Sequence, residues 1–337
     1  MSAPGTTRAP IADLTYRNYD GPLNPPAARW WAIARLSIRL ALKKRSFWWW
    51  SLLSAIYYII LMVFFYIADS FATNLTADGK NPLIANIVWR DQFVHGFSIG
   101  QISLLVIALI VATGAIANDN RANALLVYLS KPCTKLDYIV GKWVGIFIPI
   151  SLVGFVPMAL FWAYGALSFR EYGFLTEDPL MLPKLALVAM CGGALHASLG
   201  LAVSSMFNQA RVAGATYAGI YFISNFVTKA MQFGHAYYAS EGMRVPTWID
   251  RAFYASIDGV NIAMAKLILG TSGSAVFGGA LATTARAGQN RPPSNVANTP
   301  RGIIPSPPLE MFLPIFLILV VGGLLLAYRR VRAVEVV

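Results

Sequence analysis

The sequence predicts an all-α, polytopic membrane protein. It has six transmembrane helices, an amphipathic helix before the first, and a cytoplasmic helix between the second and third. Three observations carry this. The 337 residues are 57% apolar and only 12% charged, where a soluble domain has roughly 45–50% apolar and about 25% charged residues. Mean hydropathy is +0.56, and the apolar residues come in long runs. Nine Trp, 15 Tyr and 19 Phe supply the side chains that gather at lipid–water boundaries. This composition excludes a disordered chain and argues against a soluble enzyme.

A bilayer-crossing helix needs about 20 mostly apolar residues. Six windows have them: Phe47–Ala68, Ser98–Ala117, Trp143–Leu167, Leu185–Met206, Val212–Phe233 and Met311–Tyr328. None contains Asp or Glu, and Lys229 is their only Lys or Arg. The first 29 residues hold no apolar run, so no cleavable signal is expected and the amino terminus is read as cytoplasmic. Charge tests that orientation. The cytoplasmic pieces 1–46, 118–142, 207–211 and 329–337 then carry 16 Lys+Arg against 5 acids. The two short outer loops, 69–97 and 168–184, carry 4 against 6. That is the positive-inside asymmetry, and it places the +12 net charge in topology rather than in nucleic-acid binding. Both termini are expected in the cytoplasm, and a bacterial cytoplasmic membrane is the expected location.

The chain therefore divides into a cytoplasmic tail (1–28), an in-plane helix (29–46), five spans with an inner loop at 118–142 (47–233), a long outer piece (234–310), and the last span with its basic tail (311–337). The outer piece is too long for a plain connector. Thr247–Thr283 mixes apolar residues with Asp250, Arg251, Asp258 and Lys266, whereas Thr284–Pro308 has the composition of a flexible linker. A seventh span at Ala252–Leu269 would put Arg329, Arg330 and Arg332 outside, against the charge rule. A helix on the outer surface, or one dipping part-way in, is expected there.

Two inner elements have the patterning of moving parts. In Arg29–Arg45, Arg35, Arg39 and Lys43 recur every four residues and share one face. Ile33, Leu36 and Leu40, with Trp30, fall on another. A basic amphipathic helix of this kind lies in the headgroup plane; a stop-transfer anchor before Trp48, Trp49 and Trp50 is the alternative, and the two are compatible. In the loop after span two, Ala122–Leu129 has room for two helical turns, and Pro132 ends them by biasing Lys131 away from helical angles. Thr134-Lys135-Leu136-Asp137 then fits a capping box that starts a new helix. A short, stiff helix clamped between two spans can carry a push into the bundle; a plain reverse turn is the alternative.

The order of these parts resembles the type-2 ABC transporter permeases, the membrane subunits of ATP-driven exporters. The similarity lies in Tyr16-Arg17-Asn18-Tyr19-Asp20-Gly21 with the Arg-rich run after it. It continues in Tyr128-Leu129-Ser130-Lys131-Pro132 and Asp137-Tyr138-Ile139-Val140-Gly141-Lys142, with Asp119 at the usual acidic position. It closes with Ser204-Ser205-Met206-Phe207 and the tail Tyr328-Arg329-Arg330. Many members have a Gly where this chain has Ala122 and Asn123. The resemblance implies that Asp119–Lys142 couples to a separate ATPase, through Asp119, Arg121, Leu125, Tyr128, Leu129, Ser130, Pro132, Asp137, Tyr138, Gly141 and Lys142, flanked by the helix bearing Arg35, Arg39 and Lys43. It implies two cytoplasmic ABC ATPase subunits, a homodimer or a heterodimer with a related permease, and ATP and Mg bound on the partner.

No cofactor or metal is expected on this chain. Gly141-Lys142 lacks the flanking residues of a phosphate-cradling loop, G-x-x-x-x-G-K-[ST]. Gly141 and Gly145 instead form G-x-x-x-G, which permits close helix approach or, equally, a bend. Cys133 and Cys191 match neither a disulfide framework nor a metal spacing. Asn225, Lys229 and His196 are the candidate substrate-path residues; packing or snorkelling is the plainer reading of each. No nucleophile–base pattern is present, so the chain is not expected to be an enzyme. Two other classes compete with a permease: an ion-coupled secondary transporter, which normally carries intramembrane carboxylates, and a membrane scaffold or assembly factor.

Overall fold

The computed structural model describes residues 28–72, 81, 84, 87–124, 133–241, 243–272 and 304–331, and their regular structure is helical throughout. α1 (Arg29–Leu42) and α2 (Arg45–Ala72) are separated by a break at Lys43 and Lys44. There the Lys44 ammonium donates to the Ile110 carbonyl at 2.7 Å, which ties the joint to the C-terminal end of α3 (Trp89–Val111). A turn at 112–116 leads into the short α4 (Ala117–Arg121). The long α5 (Lys135–Ser168) follows, then a 3-10 turn at Arg170–Tyr172 and a one-turn α6 (Phe174–Glu177). α7 (Met181–Ser204), α8 (Ala210–Ser240), the pair α9 (Thr247–Phe253) and α10 (Ile257–Leu269), and α11 (Leu309–Arg330) complete the chain.

α5 and α7 form the centre. They pack on each other, with α1, α2 and α3 against α5 and with α10 and α11 against α7. α5 begins as its sequence dictates. The Thr134 hydroxyl accepts from the Asp137 N–H at 3.1 Å, and the Asp137 carboxylate accepts from the Thr134 N–H at 3.0 Å. Pro149 and Pro157 lie inside the helix. At the other end of the bundle, Trp89 stacks on Phe169 at 5.2 Å and Phe65 stacks on Phe161 at 6.2 Å, joining α2, α3 and α5.

Among the described residues, five helices are long and apolar enough to cross a membrane: α2, α3, α5, α7 and α11. α9 and α10 meet the same test together but are bent by 103°, as in a broken span or a re-entrant loop. α8, the fifth span expected from sequence, is not among the five; Ser224, Asn225, Thr228, Lys229 and Gln232 dilute its apolar run. These helices make the chain a polytopic, all-α membrane protein.

For the hairpin α9–α10 two placements were expected, on the outer surface or dipping part-way in. Eleven residues of α10 are buried, from Ile257 to Lys266 and then Leu269, which with the sharp bend fits the second of them. Its two charges made it look interfacial, yet each has a partner inside. Asp258 accepts from the Asn225 amide at 2.6 Å, and the Lys266 ammonium donates to the Ile304 carbonyl at 2.6 Å. The Tyr254 hydroxyl donates to the Pro305 carbonyl at 2.8 Å, so the end of the predicted linker is pinned under the hairpin. The rest of that linker and the stretch from Leu125 to Pro132 lie outside the described residues.

An ion cluster ties α3 to the start of α7. Arg90 lies 3.6 Å from Asp178, and Lys184 lies 2.6 Å from it. Burial disfavours the Asp178 carboxylate, but the Lys184 hydrogen bond and charge, then Arg90, outweigh it and hold its pKa below the ordinary 3.8. A depressed folded-state pKa contributes stability fully above the unfolded value, and that contribution is lost as pH falls through the folded one. Acid titration of the detergent-solubilised protein should therefore show this loss on the acid side of 3.8 as a falling melting temperature. Asp178→Asn should be less stable by about 1.5–3 kcal/mol at neutral pH and should lack that component of the acid loss.

Candidate functional site

α4 is only five residues long, too short to be stable alone, and it is held from outside. The Ser204 hydroxyl, at the end of α7, accepts from the Ile116 and Ala117 N–H groups, each at 3.0 Å, and donates to the Thr113 carbonyl at 2.7 Å. Two of the orphan donors at the start of α4 are thereby satisfied. Asn120 adds a bond to the Phe207 carbonyl at 3.4 Å. Beyond α4 the chain passes through Asn123 at φ 51°, a left-handed conformation that Asn tolerates better than most residues.

This clamp aims Asp119 at the first turns of α5. Lys142 approaches its carboxylate at 2.7 Å, and the Tyr138 hydroxyl donates to the same oxygen at 2.7 Å. Tyr138 and Lys142 are four residues apart, so they share a helix face, and the ammonium lies 5.5 Å from the Tyr138 ring centroid. Tyr138 is fully buried and Lys142 is 9% exposed. Asp119 is half-buried, with 18% of its side chain exposed, and its removal would leave the buried Lys142 ammonium uncompensated. On the other side of the same turn, α1 lies directly on α5. A Cβ at Gly141 would stand 2.6 Å from the Trp30 carbonyl, and one at Gly145 would stand 3.1 Å from the Ala34 carbonyl. Both contacts advance by one turn, so α1 runs in the same direction as α5 over this seam.

Asp119, Tyr138, Gly141 and Lys142 thus come together, with Asp137 beside them in the capping box and Arg121 exposed on α4. Leu125, Tyr128, Leu129, Ser130 and Pro132 lie outside the described residues. Arg35, Arg39 and Lys43 occupy the exposed side of α1. Leu36 and Leu40, grouped with Ile33 by sequence, are also exposed there, while Ile33 is buried against Gly141.

The substrate-path candidates separate. His196 is fully buried and Asn225 half-buried, each with polar neighbours, whereas Lys229 is exposed and donates to Gln232 at 3.3 Å. His196 Nδ1 lies 2.8 Å from the Tyr217 hydroxyl, Tyr221 faces Asp258, and Asn225 holds Asp258. One turn further along α10, the Asn261 amide donates to Gln101 of α3 at 2.9 Å. Sequence reading missed Tyr217, Tyr221 and Asp258, although 217, 221 and 225 are spaced by four and mark one face of α8. Among the described residues, no group of three or more His, Cys, Asp or Glu side chains is placed to hold a metal ion.

No curated protein matches the chain. The family described as ABC-2 family transporter protein matches residues 31–287, about three quarters of the length, from α1 through the α9–α10 hairpin. With membrane-crossing helices and the clamped α4–α5 junction inside that stretch, the chain belongs to the ABC-2 family of transporter proteins.

Proposed function

We propose that this membrane component of an ABC transporter is an export permease driven by ATP and Mg bound on a separate cytoplasmic ATPase subunit. Two ATPase copies would serve a dimer of this chain, or a pair made with a related permease. The observation that carries the reading is the Asp119–Tyr138–Lys142 junction. It fastens the loop after α3 to the longest helix of the bundle. A force on the loop from below would reach α5 through a buried ion pair rather than through a slack connector.

In this mechanism ATP binding draws the ATPases together and displaces the loop at 118–132. α4 transmits the displacement to α5 through Asp119, and α5 carries α1 with it through the Gly141 and Gly145 seam. The file from His196 to Asp258 lies between α7, α8 and the hairpin, where a rearrangement of α5 and α7 would alter it. It offers polar groups to a substrate crossing an otherwise apolar wall.

The test needs the cognate ATPase, expected from a neighbouring gene. The two should co-purify, and Arg121→Glu combined with Pro132→Gly should lower association or transport-stimulated hydrolysis at least several-fold. Wild-type values for both would reject the coupling role. Nucleotide turnover by the isolated chain would reject the division of labour.

A further inference from the structure

α1 buries one face on α5 and displays the other. Ile33, Ala34 and Ala41 are covered. On the displayed side Arg35, Arg39 and Lys43 form an exposed ridge. Trp31 (44% exposed) lies on one flank, and Leu36 (50%) and Leu40 (53%) lie on the other. The ridge continues past the break into Arg45, Trp48 and Trp49, with the two indoles 59% and 72% exposed. No Asp or Glu occurs between residues 29 and 68. None of Arg35, Arg39 and Lys43 has an ion-pair partner among the described residues. Three cations are thus left without counter-charge between apolar side chains that water does not favour.

We propose that this face of α1 is a binding site for anionic phospholipids. Arg35, Arg39 and Lys43 hold the phosphates, and Trp31, Leu36 and Leu40 lie along the upper acyl chains. The match is one of charge and of shape. Three uncompensated cations favour a headgroup of net negative charge over a zwitterionic one whose choline offsets its phosphate, and the flanking apolar groups need hydrocarbon rather than a second wet surface. A soluble partner would satisfy the ridge but leave Trp31, Leu36 and Leu40 in water. The site is mechanically placed as well. The far side of α1 touches α5 at Gly141, one residue from Lys142, so a lipid held here bears on the helix that carries the Asp119 junction. That consequence for turnover rests on the coupling reading above; lipid binding does not.

The experiment uses the full-length permease alone, in nanodiscs of phosphatidylcholine. The relative association of spin-labelled phosphatidylglycerol and spin-labelled phosphatidylcholine is read from the immobilised fraction. The wild type should prefer the anionic probe. Arg35→Gln/Arg39→Gln/Lys43→Gln should lose that preference by up to roughly fivefold per cation removed, with an unchanged melting temperature. Arg35→Lys/Arg39→Lys should keep most of it. Arg329→Gln/Arg330→Gln, at the end of α11, should leave it unaltered. The proposal fails if the triple variant retains the preference, or if the α11 pair lowers it equally, which would make the attraction diffuse. It fails too if the triple variant loses ATPase association while its lipid preference stays intact, which would give the face to a protein.

Discussion

Asp119→Ala should both destabilise the inner end of the bundle and disconnect the loop from α5. The carboxylate is the shared acceptor for Lys142 and Tyr138, and the Lys142 side chain is only 11% exposed. Removal of one member of such a pair strands a buried charge, at a cost of about 3–5 kcal/mol. Replacement of both members with apolar groups of similar size is often neutral. Asp119→Leu/Lys142→Met should therefore recover much of the melting temperature lost in either single variant. It should not recover ATPase stimulation, because an apolar contact lacks the directional bond that fixes α4 against α5. Thermal unfolding in detergent and ATPase assays on the reconstituted pair separate the two effects. Recovery of both together would mean that the junction is only structural.

Gly259→Ala should be the most damaging single methyl in the hairpin. A Cβ there would meet the Tyr254 Cα at 2.7 Å and the Phe253 carbonyl oxygen at 2.8 Å, which are backbone atoms that cannot rotate away. The turn that bends α9 against α10 by 103° brings these groups together, and the Ser256 hydroxyl fixes it by accepting the Gly259 N–H at 2.8 Å. Overpacking of this kind costs about 1–3 kcal/mol. Ser256→Ala, which removes the cap, should cost about 1 kcal/mol. Hydrogen–deuterium exchange of the 257–269 amides should rise more in Gly259→Ala than in Ser256→Ala. Equal, unchanged protection in both would show that the bend does not depend on this contact.

The helical, membrane-crossing character and most span positions were legible because runs of apolar residues carry their own meaning. The start of α5 was legible because a capping box is a local code, with Thr134 and Asp137 three residues apart. The partners of Asp119 were in view only as separate motif letters. Nothing in the spacing between 119 and 142 says that they touch, because the contact depends on the reversal after α4 and on the Ser204 clamp from a helix more than eighty residues away. The hairpin's depth was left open between two placements for a different reason. Asp258 and Lys266 look expensive to bury when counted one at a time. The cost is offset by Asn225, Tyr254 and the Ile304 carbonyl, groups that a window average does not see. The absence of carboxylates from the six apolar windows also weighed against ion-coupled transport, yet Asp258 enters the interior from outside those windows.

One small group sets a limit on how the inner end can deform. Because the Ser204 oxygen holds the chain just before and at the start of α4, while Asp119 holds α5, the short helix is riveted to both central helices at once. A tug on it cannot draw one past the other without tearing a rivet. The rivets favour displacement of the two central helices together, with α1 on its glycine seam, over slippage of one past the other.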